Sequence, residues 1–225
     1  KVITDLVVNH TSNQHPWFLE SQKSKDNPYR DYYIWRDARS NKMPNEWISF
    51  FGGSAWRYDA QTKQAYFHVF GKEQPDLNWK NPKVRKEIYK MVRFWLDLGL
   101  DGFRLNAISH IQKMPWSYKI KSWHGDGPWV PFMNVSGIEQ YMKDLKEIFD
   151  EYGALTVGEA SGVRSTQAPD WTDDSGYINM IFELEHNARK ANGDGHVYQM
   201  KKTLIRWQKD LLERGWNALY LENHD

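Results

Sequence analysis

The chain has 225 residues, with 30 Lys and Arg against 29 Asp and Glu and a formal net charge of +1, a length that can bury a sizeable core in one large domain or in one and a half. Balanced charge without a basic stripe argues against a nucleic-acid partner, and no apolar run approaches the ~20 residues of a membrane span. Cysteine is absent, which excludes disulfides and thiol chemistry and suits a reducing, cytoplasmic setting.

In chain order, residues 2–8 read as a buried strand that runs into Asn9 and His10. A chain that opens on one strand and closes just after another is expected to be an internal piece of a longer protein. The stretch from Thr11 to Trp79 is rich in Asn, Ser, Lys, Trp and Tyr, with turn signals at Asn27-Pro28, Pro44-Asn45 and Gly52-Gly53. Strand-like pieces fall at residues 32–35 and 65–70. The stretch is too long for a plain connection, so residues 11–80 are expected to form a small inserted domain that walls one side of a site.

Asn81-Pro82 then offers an N-cap followed by Pro at the first helical position. Val84, Ile88, Met91, Val92, Trp95 and Leu96 follow at helical spacing, with Gly99 as the stop. A strand at residues 100–105 comes next. A second helix carries Ile138, Tyr141, Met142, Leu145, Ile148 and Phe149 and stops near Gly153, and a strand at 154–157 follows. Another strand is expected at 178–184. A third helix carries Val197, Met200, Leu204, Trp207, Leu211 and Leu212, before a last strand at 217–221.

Strands alternating with helices imply a parallel sheet. The expected fold is α/β: a (β/α)8 barrel of which this chain holds about strands 3 to 7. On this division residues 1–10 are strand 3, residues 11–80 the insert, and residues 81–225 strands 4 to 7 with their helices. A doubly wound sheet is the rival, but no Gly-rich phosphate loop follows any of the strands.

Several strand ends carry ionisable clusters: DLVVNH up to His10, DGFRLN with Arg104 and Asn106, VGEA with Glu159, and LENHD with His224 and Asp225. The carboxyl ends of barrel strands are where this architecture places its chemistry. Glycoside cleavage needs a carboxyl group on each side of the scissile bond, and Glu159 behind Gly158 is a candidate acid. Taken singly, each signal is weak, because a structural ion pair explains most strand-end carboxylates. Arg104 and position 106 share a face of their strand, so an Arg would stand beside a position where a carboxylate is expected. Aromatic residues make up 15% of the chain; ordinary packing explains most of them, and stacking on sugar rings is the sharper alternative.

In combination, and in this order, these segments resemble the α-amylase superfamily of glycoside hydrolases, family 13. Asp5–His10, Gly102–Asn106, Gly158-Glu159-Ala160 and Asn223-His224-Asp225 are similar to its conserved regions on the third, fourth, fifth and seventh barrel strands. Gln74-Pro75-Asp76-Leu77-Asn78, His15-Pro16-Trp17-Phe18 and Arg30–Trp35 resemble the oligo-1,6-glucosidase and α-glucosidase subgroup.

The resemblance implies Glu159 as general acid/base, Asp225 as transition-state stabiliser, and His10, Arg104 and His224 around the reacting sugar. It places the catalytic nucleophile at position 106, where the family has Asp and this chain has Asn106. An amide keeps the shape of the carboxylate but loses its charge and nucleophilicity, so binding is expected to survive while turnover is not. With the other matched positions intact, a single engineered change that traps bound substrate is favoured over a naturally inactive relative. The residue after the nucleophile tracks linkage in the subgroup, and Ala107 leans towards α-1,4-linked short glucosides such as maltose, with α-1,6 the alternative. Phe70 is expected either as an apolar wall near the leaving sugar or as core.

The implied activity is a retaining, exo-acting α-glucosidase of carbohydrate metabolism, able in principle to transfer glucose to another sugar. Its expected partner is a small oligosaccharide, maltose-like or isomaltose-like. A non-catalytic sugar-binding or transporter-associated scaffold is the alternative. Relatives bind calcium in a loop after the first barrel strand, outside this chain, so no metal ligand or cofactor is expected within it. Asn9-His10-Thr11 and Asn134-Val135-Ser136 match the glycosylation pattern and are set aside, as is a metal role for His10 and His15. For Glu183, Glu185 and His186 a structural role is the default and a substrate contact the alternative.

Overall fold

A computed structural model describes residues 1–120, 127–187, 193 and 195–221. These fall into two compact units: residues 1–6, 92–109 and 139–225 form one, and residues 7–91 and 110–138 the other.

The first unit is built on a five-stranded sheet in which spatial order follows chain order: β1 (Ile3–Val7), β5 (Gly102–Asn106), β6 (Leu155–Gly158), β7 (Met180–Phe182) and β8 (Trp216–Ala218). The pairs from β5 to β8 are parallel, with Leu105 opposite Gly158 and Gly158 opposite Ile181. Sequential parallel strands joined by helices make this an α/β, TIM-barrel-like fragment, with the small antiparallel sheet of the other unit as its insert. One glycine lets a neighbouring strand's backbone approach, and another makes room for a side chain. A Cβ on Gly102 would stand 1.8 Å from the Leu155 carbonyl oxygen, and one on Gly158 would meet Ile178 Cδ1 at 2.4 Å.

The helices follow their apolar periodicity. Helix α2 (Pro82–Asp97) starts where Lys83 N donates to Asn81 Oδ1 at 2.9 Å. It buries Val84, Ile88, Val92 and Leu96, a stripe of i, i+4 steps. Trp95, expected in that set, sits one position off the stripe and is 43% exposed. Helix α3 (Ile138–Tyr152) buries the six apolar residues its pattern named, and Gly153 at φ 59° ends it. The helix at Val197–Leu211, α5 below, buries Thr203, Trp207 and Leu211. Val197 and Leu212, expected on its buried face, are exposed because they stand at its first turn and its C-cap.

Strands are shorter than the apolar runs suggested. Ile178 is buried ahead of β7, and Leu219 and Leu221 lie exposed beyond β8. Among the described residues β8 ends the sheet, so no further strand there covers them. A short helix α4 (Ala168–Thr172) went unread in the sequence.

The second unit holds an antiparallel sheet of β2 (Trp35–Asp37), β4 (Gln64–Phe67) and β3 (Trp56–Asp59), with β4 central. Trp35 faces Tyr66 and Trp56 faces Phe67 across the strands. Its core of Ile34, Trp47, Ala55, Trp56, Ala65, Phe67, Val69 and Phe132 absorbs much of the aromatic content. Residues 16–23 are expected to be an irregular part of the insert. They form helix α1 (Pro16–Lys23), with His15 Nδ1 accepting from Trp17 N and Pro16 at the first position. Arg30 is fixed beneath it by Ser21 O, Thr62 and Gln64 and lies 3.5 Å over the Trp35 ring. Burial holds that guanidinium down to about 10. The subgroup-like segments at residues 15–18 and 30–35 therefore carry packing. No helix among the described residues is long and apolar enough to cross a membrane.

Candidate active site

In the sheet unit, β5 alternates cleanly. Phe103 and Leu105 are fully buried, while Arg104 and Asn106 share the other face, half-buried. Glu159 follows the last residue of β6, and its backbone N–H donates to Leu105 O at 3.0 Å. Both carboxylate oxygens are held. Arg104 Nη2 lies 3.2 Å from Oε1, and Ala107 N donates to Oε2 at 2.8 Å. Arg104 Nη1 reaches back to Asp5 Oδ1 at 3.2 Å. One guanidinium thus joins a carboxylate within β1 on one side and one just past the end of β6 on the other.

Leu105 and Gly158 are register partners, so positions 106 and 159 are the next step along neighbouring parallel strands. Adjacent strands lie about 4.8 Å apart, so the two positions are neighbours across the ends of β5 and β6. Ala107 is buried and adopts φ 47°, which turns its N–H out of the strand ladder towards Glu159. Asp5 opens the DLVVNH segment, and its tie to Arg104 joins residues 99 apart in sequence; its period-2 placement on a strand is the signal the sequence offers.

In the other unit, His10 is buried, with its ring nitrogens 3.3 Å from Asn9 Nδ2 and 3.1 Å from Gln74 Nε2. Burial, against an attraction to Asp76, lowers its pKa below the usual imidazole value. Its ring meets Phe70 edge-on at 5.3 Å. Phe70 stacks on Phe50 at 5.4 Å, and Phe50 on Trp129 at 4.7 Å. Phe70 is half-buried, packed against the core on one side and against His10 on another.

Behind His10 lies a buried charge pair that the sequence reading missed. Lys113 Nζ is 2.7 Å from Asp76 Oδ2 and donates to Asn9 Oδ1 at 3.0 Å. Asp76 Oδ1 accepts from Val69 N at 2.8 Å. The QPDLN segment thereby anchors the residues flanking His10: Leu77 N donates to Asn9 O, and Trp79 Nε1 to Val8 O. Burial lowers the Lys113 pKa in spite of Asp76. His110 Nδ1–H donates to Phe132 O at 2.7 Å, and burial holds its pKa at about 4.

His224 and Asp225 lie outside the described residues. Glu183 and His186 form a buried pair, Nδ1 to Oε2 at 2.6 Å, while Glu185 binds Arg206 at the surface. A hollow lined by Ala154, Leu155, Met180 and Trp216 opens at the amino ends of β6 to β8, away from Glu159. Among the described residues no three His, Asp or Glu side chains group as metal ligands would.

The family described as alpha amylase, catalytic domain, matches residues 1–225. The chain is 46% identical over 239 residues to the oligo-1,6-glucosidase of Parageobacillus thermoglucosidasius, covering 100% of this chain and 42% of that protein. It is 47% identical over 233 residues to the probable oligo-1,6-glucosidase 3 of Bacillus subtilis, with the same coverage. Among solved structures, the trehalose-6-phosphate hydrolase of Bacillus licheniformis superposes with a TM-score of 0.91 at 37% identity, covering 100% of this chain and 42% of that one. The chain thus spans about two-fifths of the length of these relatives.

Proposed function

The chain belongs to the alpha-amylase catalytic-domain family, and from that premise we propose that the whole protein is built as a retaining, exo-acting α-glucosidase for short α-glucosides. The observation that carries this reading is the register of β5 and β6. It sets position 106 beside a Glu159 whose carboxylate is fixed by Arg104 and by Ala107 N. Glu159 protonates the glycosidic oxygen and later activates water. Position 106 attacks the anomeric carbon when it is Asp, and Asp225 steadies the oxocarbenium-like state. His10 and His224 contact the reacting sugar, and Phe70 forms part of its apolar wall. The same glycosyl intermediate can pass glucose to a second sugar.

With Asn106 the covalent step fails while the pocket keeps its shape, so this form holds substrate without turning it over. By analogy with protease triads, losing a nucleophile costs on the order of 10⁴ to 10⁶ in rate. Ala107 favours α-1,4 linkages, whereas the names of the two glucosidase relatives favour α-1,6. The difference at that position amounts to a methyl or two, about 1–3 kcal/mol.

A paired assay of the full-length protein on maltose and isomaltose, with Asn106 and with Asn106→Asp, tests both points. Hydrolysis by the Asp form alone supports the enzyme, and the preferred sugar assigns the linkage. An Asp form that binds sugar but neither cleaves nor transfers overturns it. Asn106 is the specific observation behind the rival reading, a sugar-binding scaffold, which that second outcome would favour.

A further inference from the structure

Three features around Asn106 combine in a way the glucosidase mechanism does not use. First, Ala107 N lies outside any backbone ladder and donates to a carboxylate, Glu159 Oε2, at 2.8 Å. Second, Ala107 carries the smallest chiral side chain and holds φ 47°, a left-handed conformation that L residues other than Asn and Asp rarely adopt. Third, Asn106 is half-buried at the end of its strand, where water can reach it. The backbone nitrogen after an Asn is the nucleophile of side-chain deamidation, and its weakness is that its proton must be removed. Here a general base already holds that proton.

We infer that Asn106 is a self-converting site, at which Glu159 promotes deamidation to Asp. Ala107 N gives its proton to Glu159 and forms a bond to Asn106 Cγ. The C–N bond of the side-chain amide breaks, and the nitrogen leaves as ammonia with a proton returned from Glu159. The resulting succinimide is opened by water to Asp or to iso-Asp. One water is consumed and one ammonia released, with no oxidant, metal or cofactor. A base positioned at hydrogen-bond distance accelerates such a step by on the order of tenfold or more. The chain would then generate the carboxylate that its strand end lacks. The mass change is independent of the glucosidase reading; only a gain of hydrolysis with time rests on it.

The sequence supplies its own clocks. Asn187-Ala188 and Asn217-Ala218 are the same dipeptide, and Asn217 lies in β8. The full-length protein is incubated in ¹⁸O-water, and peptides are followed by mass spectrometry under native conditions and in denaturant. The expected result is that position 106 gains an ¹⁸O-labelled carboxylate at least several-fold faster than position 217 in the native protein, and faster than itself in denaturant. Glu159→Gln is expected to abolish that advantage while leaving position 217 unchanged. Folding ordinarily slows deamidation, so a native rate at 106 equal to or below the denatured rate overturns the inference. An undiminished native rate in Glu159→Gln overturns the role of Glu159. Should that variant fold poorly, position 217 would convert at its denatured rate, and the native-against-denatured comparison on the unaltered chain still decides.

Discussion

The two units each bury a cation against a carboxylate, and they do so to different ends. In the sheet unit the Arg104 and Glu159 side chains are both 15% exposed, and Arg104 divides itself between Glu159 and Asp5. In the other unit Lys113 and Asp76 are 3% and 0% exposed, and their remaining polar atoms go to Asn9 and a backbone N–H. A half-open pair leaves room for a ligand and for a proton to arrive or leave. A sealed pair does neither, and it can only fix the backbone around it. The first arrangement is therefore expected to matter for turnover more than for stability, and the second for stability more than for turnover.

The sharpest way to break this contrast is Lys113→Met. It leaves Asp76 buried without its cation, and removing one partner of a buried pair typically costs about 3–5 kcal/mol. Urea unfolding should show that loss, and Lys113→Met with Asp76→Asn should recover most of it, because Asn keeps an oxygen for Val69 N. Recovery would mean that the charge, not the lysine stem, sets the cost. Equal destabilisation in both variants would mean that Lys113 contributes by packing.

Acid should act on the same unit. His110 sits near His10, Lys113 and Asp76, and its pKa is held at about 4 against a usual 6.5. The unfolded chain therefore binds a proton between those values that the native chain refuses. Stability from this group is complete above about pH 6.5 and is lost as pH falls towards 4, by up to about 3 kcal/mol. His110→Phe should flatten the unfolding free energy across that window. A slope unchanged by the substitution would assign the acid sensitivity to other groups.

The framework was readable because burial periodicity survives in single segments. The set from Ile138 to Phe149 and the stripe at Val84, Ile88, Val92 and Leu96 are local patterns, and they fold as they read. The positions of Glu159 and Arg104 on their strands were legible because an apolar run carrying charge near its end is also local, whereas their roles rested on the family resemblance. What failed to show is non-local or ambiguous. Lys113 and Asp76 are 37 residues apart in sequence, and a lysine after an apolar run looks like a solvated one. Helix α1 hid because its cap is His15, outside the usual Ser, Thr, Asp and Asn set. Val197 and Leu212 were misplaced because periodicity alone does not locate the first and last turns of a helix.

The smallest effect separates the two arrangements most cleanly. Asp5 is the outer partner of Arg104, with its side chain 53% exposed. Exposed ion pairs contribute roughly 0–1 kcal/mol, so Asp5→Asn should leave unfolding almost unchanged. Its consequence should fall on Arg104, which then has one carboxylate to bind instead of two. In an Asn106→Asp background the freed guanidinium can lean on Glu159 alone, and turnover of maltose or isomaltose should change several-fold while the urea midpoint stays in place. A variant that loses stability without changing turnover would make Asp5 a structural tie like Lys113, and the distinction between the half-open pair and the sealed one would fail at its weakest point.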